Sequence, residues 1–216
     1  MHRSEIFEKI LETGVVSIIR MKSSNHIMKV LESLQAGGIN TWEITLNTPN
    51  ALQSIETIAS ENGSSMIGAG TVLDVAMAKR AINAGAKFLV TPVVNPDIIV
   101  AAHQHEVPVF MGAFSPTEIF TAHECGADMV KLFPAGIHGL SYFRALQGPL
   151  KEIKLMPTGG VTPDNAGEWI HAGAHAVGIG SSLIQPEAVQ SGNFSRITDL
   201  SKRLVENILS ARSALK

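Results

Sequence analysis

The sequence predicts an α/β protein whose eight parallel strands close into a barrel, with one extra helix in front of the first strand. The first observation is that short β-rich runs alternate with helical patterns along the whole chain, which gives eight βα units. The second is that similar glycine triplets recur where a helix turns into the next strand, namely Ala36-Gly37-Gly38, Ala84-Gly85-Ala86, Cys125-Gly126-Ala127 and Ala172-Gly173-Ala174. Eight repeated βα units are typical of the (β/α)8, or TIM, barrel.

The predicted strands are short runs rich in aliphatic and β-branched residues. They cover residues 15–20, 41–47, 65–71, 87–91, 107–114, 128–133, 154–158 and 175–180. The extra helix covers residues 5–13, and further helices cover 26–36, 50–61, 75–84, 96–105, 116–124, 142–146, 163–171 and 194–215. Glycine follows four of these helices, at positions 37, 85, 126 and 173, which is a common signal for a helix end.

An open doubly wound sheet is the alternative fold for alternating strands and helices. No Gly-x-Gly-x-x-Gly pattern follows the first predicted strand, which counts against the dinucleotide-binding form of that fold. The sequence contains neither a linker nor a low-complexity stretch. We therefore expect one domain that covers residues 1–216.

The composition is typical of a compact folded protein without a surface for nucleic acid or membrane. Of the 216 residues, 45% are hydrophobic, 17% are charged and 5% are aromatic, and the formal net charge is −2. The single cysteine, Cys125, cannot form an intramolecular disulfide and fits a reducing compartment. The first residues carry acid and lack an apolar signal core, and no apolar run approaches the ~20 residues that span a bilayer. We expect a cytoplasmic protein.

Lys131 lies inside an otherwise apolar predicted strand, in the run Met129-Val130-Lys131-Leu132-Phe133. Burying an ammonium group costs a great deal of free energy, so a buried lysine usually has a role other than stability. Burial disfavours the charged form and leaves a neutral amine that can attack a carbonyl carbon. The alternative is a lysine near the strand end whose ammonium group reaches solvent.

The second strand predicts a carboxylate inside the barrel. Side chains alternate between the two faces of a strand, so Glu43, Thr45 and Asn47 share one face and the apolar residues between them share the other. The apolar face can pack outward on the helices, which directs Glu43 inward, because both faces of a parallel sheet are covered. Glu43 and Lys131 would then form either a buried ion pair or a base and a nucleophile.

Polar residues at the carboxyl ends of the strands are candidates for an active site, because these ends form the mouth of a barrel. They are Arg20, Glu43, Thr45, Asn47, Thr71, Lys131, Thr158 and the run Gly180-Ser181-Ser182. Glycine-rich loops follow the last two strands, at Gly159-Gly160 and at Gly180. Such loops commonly bind phosphate through backbone N–H groups, although glycines in either loop could serve only a tight turn.

The histidines do not show the spacing of a metal-ligand cluster. His103 and His105 are two residues apart on a predicted helix and cannot share a face, and His171 and His175 lie on either side of a helix end. His138 follows the lysine strand and could reach the barrel mouth, but an ordinary loop histidine is the simpler interpretation. We expect a reaction that uses neither a metal nor another cofactor.

Five motifs together resemble the family of 2-keto-3-deoxy-6-phosphogluconate (KDPG) and 4-hydroxy-2-oxoglutarate (KHG) aldolases. They are Glu43-Ile44-Thr45-Leu46, Gly68-Ala69-Gly70-Thr71-Val72-Leu73, Lys131-Leu132-Phe133-Pro134-Ala135, Pro157-Thr158-Gly159-Gly160-Val161-Thr162-Pro163 and Gly178-Ile179-Gly180-Ser181-Ser182. The resemblance implies a barrel enzyme, usually a homotrimer, that cleaves a 2-keto-4-hydroxy acid to pyruvate and an aldehyde. The aldehyde would be glyceraldehyde 3-phosphate or glyoxylate, and a 2-keto-3-deoxy-6-phosphogalactonate type of aldolase is an alternative.

The resemblance also implies roles for individual residues. Lys131 would form the Schiff base with the substrate, and Glu43 would be the general acid and base. Thr71 and Thr158 would hold the pyruvate portion. The phosphate pocket would be made by Gly159, Gly160, Gly180 and Ser182, with Ser181 beside it.

Two departures from the family pattern concern the choice of substrate. Many members carry an arginine that binds the pyruvate carboxylate where this chain has Asn47. Many also carry Pro-Gly and a later threonine where this chain reads Met111-Gly112-Ala113-Phe114-Ser115. Arg20 ends the neighbouring predicted strand, and we expect it to replace the missing arginine. A phosphosugar isomerase or epimerase on the same barrel, and a small-acid binding protein without catalysis, are alternatives that need no iminium.

Overall fold

The computed structural model describes residues 2–61 and 66–215. Its strands are β1 (Val15–Ile19), β2 (Thr41–Thr45), β3 (Met66–Gly70), β4 (Leu89–Val90), β5 (Val109–Ala113), β6 (Met129–Leu132), β7 (Leu155–Pro157) and β8 (Val177–Ile179). Its helices are α1 (Arg3–Thr13), α2 (Ile27–Ala36), α3 (Ala51–Glu61), α4 (Val75–Asn83), α5 (Pro96–His103), α6 (Pro116–Glu124), α7 (Gly139–Gln147), α8 (Ala166–His171), α9 (Pro186–Gln190) and α10 (Phe194–Ser213), with a 3₁₀ turn at Ala135–Ile137. Among the helices in these ranges, none combines the length and the hydropathy that a membrane span requires.

The strands form one parallel sheet that closes into the predicted barrel. Each strand from β1 to β6 pairs with the next one in the chain, and β8 pairs with β1. The remaining seam, between β7 and β8, is closed by a bridge between Thr158 and Gly178 and by a 3.1 Å hydrogen bond from the His175 N–H to the Leu155 carbonyl. The predicted (β/α)8 barrel is therefore confirmed, and the open doubly wound alternative is wrong.

The amino end of the barrel is filled by apolar side chains and covered by α1. Residues from seven strands or their first flanking positions fill this interior: Val16, Met66, Phe88, Val90, Phe110, Met129, Met156 and Ala176. Ile6, Phe7 and Ile10 of α1 pack against them, with the rings of Phe7 and Phe110 edge to face at 6.0 Å between centroids. The extra helix thus closes the amino end, and the carboxyl end is left for a site.

A second apolar core lies between the barrel and its helices. Trp42 and Ile44 of β2 belong to this outer core, and Leu46 packs against it. The apolar face of β2 therefore points outward, as the alternation in the sequence predicts.

Several element ends differ from the prediction because side chains form turns there. β2 ends at Thr45 because the Thr48 N–H donates to the Thr45 carbonyl at 2.8 Å. Helix α8 begins three residues later than predicted, because the side chains of Thr162 and Asn165 exchange hydrogen bonds with each other's N–H groups at 3.2 and 2.8 Å. Residue 65, the predicted start of β3, lies outside the described residues.

Candidate active site

Lys131 and Glu43 meet inside the barrel. β6 and β2 are separated by β5, β4 and β3 in the sheet order, so the two side chains approach each other from across the barrel. Lys131 Nζ lies 3.9 Å from Glu43 Oε1. Glu43 is fully buried and Lys131 is 6% exposed. Both side chains face inward, as the strand patterns predict, and no solvent-directed lysine head is present at this position.

Burial raises the pKa of Glu43, although the nearby charges of Lys131 and Arg20 oppose that shift. Within residues 2–61 and 66–215, both carboxylate oxygens are buried without a hydrogen-bond partner. A carboxyl group in such surroundings holds its proton at a higher pH than an exposed glutamate does. This property suits a group that takes up and returns a proton during a reaction.

Arg20 lies at the barrel mouth, immediately after β1. Its Nη2 donates a hydrogen bond of 3.4 Å to Thr71 Oγ1, and its side chain lines the same cavity as Lys131. Thr71 has a backbone φ of +58°, which is rare for a β-branched residue and typical of positions held by their surroundings. The guanidinium is exposed to solvent yet directed toward the mouth, so it is available to an anionic group of a bound molecule.

A cavity of about 430 Å³ extends from Lys131 to the loops after β7 and β8. It brings together most of the residues predicted for the site: Arg20, Lys131, Thr158, Gly159, Gly160, Gly180, Ser181 and Ser182. Glu43 adjoins it through Lys131, and Thr71 adjoins it through Arg20. The amine and the two glycine-rich loops therefore belong to one cavity.

The loop after β7 has a backbone that requires glycine, and it is tied to the loop after β8. Gly159 and Gly160 have φ values of +82° and +84°, a region that side chains other than glycine rarely adopt. A Cβ on Gly160 would also lie 2.6 Å from the Cα of Gly136. The Ser182 hydroxyl donates to the Val161 carbonyl at 2.7 Å, which joins the loop after β8 to the loop after β7.

Residues 6–200 match the family model described as KDPG and KHG aldolase. The chain belongs to this aldolase family. The KHG/KDPG aldolase of Escherichia coli (strain K12) is 32% identical over 201 residues, which cover 92% of this chain and 94% of the relative. The 2-dehydro-3-deoxy-phosphogluconate aldolase of Treponema pallidum (strain Nichols) is 34% identical over 203 residues, which cover 93% and 96% of the two chains.

A solved structure of a KDPG aldolase from Legionella pneumophila has the same fold as this aldolase. The two superpose with a TM-score of 0.85 at 29% identity, covering 94% of this chain and 98% of the other. That structure contains pyruvate captured at low pH as a covalent carbinolamine intermediate. The family resemblance predicted from the five motifs is therefore confirmed.

The position of Asn47 in this aldolase differs from the prediction. The strand alternation predicts Asn47 on the inward face of β2, but Asn47 lies in the turn after Thr45 and is exposed. The Thr45 and Thr48 hydroxyls lie 3.2 Å apart and both hydrogen-bond the Ile19 carbonyl, which holds this turn against β1. Among the described residues, the set that lines the cavity does not include Asn47.

The aldolase cavity also has an apolar wall that the sequence interpretation missed. It consists of Ile18, Phe133, Val161, Ile184 and Pro186. The alternation rule predicts Ile18 on this wall, because Ile18 lies between Val16, which faces inward on β1, and Arg20, which immediately follows the strand. Ile184 precedes the short helix α9, which begins at Pro186 and which the sequence pattern does not predict.

The histidine after the lysine strand lies outside this cavity. His138 stacks on Phe114 with ring centroids 4.7 Å apart and lies equally far from the Tyr142 ring. The Tyr142 hydroxyl in turn donates to the Phe114 carbonyl at 2.7 Å. His138 packs in a surface aromatic group, which agrees with its interpretation as an ordinary loop histidine.

Proposed function

We propose that this aldolase cleaves a 2-keto-4-hydroxy acid to pyruvate and an aldehyde through a Schiff base on Lys131. The observation that carries the proposal is a buried lysine 3.9 Å from a buried glutamate, in a cavity that ends at two glycine-rich loops. The covalent pyruvate adduct in the Legionella relative supports it. The preferred substrate class is a 2-keto-3-deoxy-6-phospho sugar acid, with 4-hydroxy-2-oxoglutarate as the smaller candidate.

The first half of the reaction joins the substrate to Lys131. The neutral amine attacks the C2 ketone carbon, and a proton from Glu43 reaches the developing alkoxide to give a carbinolamine. Loss of water then gives the iminium. The 3.9 Å distance between Nζ and Oε1 is longer than a direct hydrogen bond, so a water molecule beside the pair, hydrogen-bonded to both groups, would relay the proton.

The second half breaks the C3–C4 bond. Glu43, now ionised, removes the proton of the C4 hydroxyl, the aldehyde leaves, and the bonding electrons pass into the iminium to form an enamine. Glu43 then returns the proton to C3 of the enamine, and water hydrolyses the resulting iminium to pyruvate and free Lys131. The raised pKa of Glu43 suits this alternation between acid and base.

Arg20 is proposed to bind the carboxylate of the pyruvate portion, with Thr71 and Thr158 beside it. A carboxylate in a barrel mouth needs a cationic partner, because leaving it unpaired is costly. Arg20 lines the cavity and is bonded to Thr71, whereas Asn47 lies in an exposed turn.

Arg20→Ala is therefore expected to weaken pyruvate binding by about 2–4 kcal/mol, the usual effect of removing one partner of a charge pair that binding buries. Asn47→Ala is expected to cost far less. The measurement is the pyruvate concentration that gives half-maximal borohydride trapping in each variant. The opposite order of the two affinities would contradict the assignment.

The loops after β7 and β8 are proposed to bind the substrate phosphate. Their support is the positive φ of Gly159 and Gly160 and the Ser182–Val161 hydrogen bond, which hold two glycine-rich backbones around one end of the cavity. Backbone N–H groups at such loops favour an anion.

Gly180 offers a clean test of this phosphate site. A Cβ at position 180 would lie 3.7 Å from its nearest neighbour, the Ile18 carbonyl oxygen, so a side chain fits there without displacing the backbone. Gly180→Asp should raise KM for phosphorylated substrates at least about tenfold relative to Gly180→Asn, because like charges repel. Half-saturation for pyruvate should differ little between the two variants. Equal losses for phosphorylated substrate and pyruvate would mean that the loops are structural.

We further propose that the protein is a cytoplasmic homotrimer and that residues 1–216 of each chain form a single domain. Large apolar side chains are exposed on loops after β3, β4 and β6 and on α6, namely Leu73, Val93, Ile137 and Phe120. Exposed apolar groups of this kind often mark a protein interface. The molar mass in solution, compared with 23.0 kDa for one chain, tests the trimer.

The proposed cytoplasmic location is supported by Cys125, which is free and therefore compatible with a reducing compartment.

A further inference from the structure

The carboxylate of Glu43 occupies space that one glycine of the neighbouring strand leaves open. Gly70 of β3 pairs with Thr45 of β2, two residues beyond Glu43. A Cβ at position 70 would lie 2.6 Å from Glu43 Cγ and closer still to the carboxyl group, a separation that real Cβ atoms essentially never show. Gly70 is buried, so neither group can move freely into solvent.

Gly70 is not needed for the path of the backbone. Its φ is not positive, unlike those of Gly159 and Gly160, so any residue could adopt its strand conformation. Its N–H and C=O belong to the ordinary ladder, with the Leu46 N–H donating to the Gly70 carbonyl at 2.8 Å. The requirement for glycine here therefore comes from space alone.

Packing helps to hold the Glu43 carboxylate, because no protein group within the described ranges donates a hydrogen bond to it. Both of its oxygens lack a hydrogen-bond partner within the described ranges, and Lys131 Nζ is 3.9 Å away. The basic groups that face it are Lys131 and Arg20. The atoms packed around the carboxylate then set its position. A methyl group added at Gly70 would enter the space that the carboxylate occupies.

We infer that Gly70 is a positioning residue for the aldol reaction: its missing side chain makes the space that places Glu43 beside Lys131. This inference rests on the proposed role of Glu43 as the acid and base. The sequence groups Gly70 with Gly68 in one motif, but their contacts separate them. A Cβ on Gly68 would meet the Phe88 ring at 2.5 Å, in the apolar floor below the site.

Gly70→Ala should lower kcat/KM by about 10²-fold, the scale expected when a catalytic group is displaced by about 1 Å. The limb of its pH profile that reports loss of the Glu43 proton should move to lower pH, because a carboxyl group pushed out of its buried position loses the burial that raises its pKa. Gly68→Ala is the matched control, since it adds the same methyl group to the same strand.

A double-mutant cycle separates positioning from general damage. If Gly70 acts through Glu43, adding Gly70→Ala to Glu43→Gln should cost less than about threefold further, whereas Gly68→Ala should lower activity by the same factor in both backgrounds. Equal factors for Gly70→Ala in the two backgrounds would overturn the inference.

Stability gives an independent test if Gly70→Ala folds poorly. Removing the carboxylate with Glu43→Ala should restore thermal stability to the Gly70→Ala protein, because the added methyl group then has space. Failure of this rescue would also overturn the inference. If Glu43→Gln itself retained full turnover, the proposed role of Glu43 would be wrong, while the rescue would still report on the packing.

Discussion

Lys131→Met is expected to fold as the same barrel and to lose aldol cleavage by on the order of 10⁶-fold, the scale seen when a covalent nucleophile is removed. Methionine fills a volume similar to that of lysine and introduces no charge into a buried position. The strand around it is apolar, and Lys131 is 6% exposed, so the loss of the amine removes chemistry rather than packing. A cleavage assay together with a thermal unfolding curve measures both effects.

Lys154→Met is the matched control for this substitution. Lys154 is an exposed lysine that immediately precedes β7, at the amino end of the barrel, with Nζ 5.6 Å from the Phe7 ring centroid. Its replacement should leave turnover within about twofold of wild type, because surface substitutions away from a site usually have small effects. Substantial cleavage by Lys131→Met would contradict the Schiff-base assignment.

Glu43→Gln is expected to retain pyruvate binding and to lose turnover by roughly 10²–10⁴-fold, the usual contribution of a positioned acid or base. The amide has nearly the same shape as the carboxyl group but cannot exchange a proton. Because the first step uses the proton of Glu43 and burial raises the pKa of this group, the wild-type kcat/KM should fall as pH rises, at a higher pH than an exposed glutamate would give. That limb should be absent in Glu43→Gln.

Glu43→Gln also shows whether Glu43 acts as an acid and base or only forms a structural ion pair with Lys131. If the Lys131–Glu43 contact existed for stability, breaking it would cost about 3–5 kcal/mol of unfolding free energy. A carboxyl group whose folded-state pKa is raised instead contributes stability below its unfolded pKa and loses it as pH rises through the folded value. Glu43→Gln should therefore be at least as stable as wild type at neutral pH. Large destabilisation with normal turnover would favour the ion pair.

The central pair of residues could be predicted because two strong rules agree on it. The repeated βα units fix a barrel, and strand alternation then directs Glu43 and Lys131 into it. Arg20 follows from the same alternation, since it lies two residues beyond Ile18 on the inward side of β1. These positions depend on backbone periodicity, which a sequence shows directly.

Other features depend on local contacts that periodicity does not encode. The polar alternation continues through Asn47 and predicts it on β2, but a hydrogen bond from the Thr48 N–H to the Thr45 carbonyl ends the strand first. Helix α9 has five residues, too few to show a helical period. The need for glycine at position 70 depends on where the Glu43 side chain lies, which no spacing in the sequence indicates.

Borohydride reduction in the presence of pyruvate, followed by intact mass and peptide mapping, tests the proposed mechanism most directly. Reduction makes an iminium irreversible, so an enzyme that forms one gains the mass of one reduced pyruvate per chain. The predicted result is a single adduct on Lys131, absent in Lys131→Met and present in Lys154→Met. No irreversible mass gain, as expected for an isomerase, an epimerase or a binding protein, or an adduct on a different lysine, would contradict the mechanism.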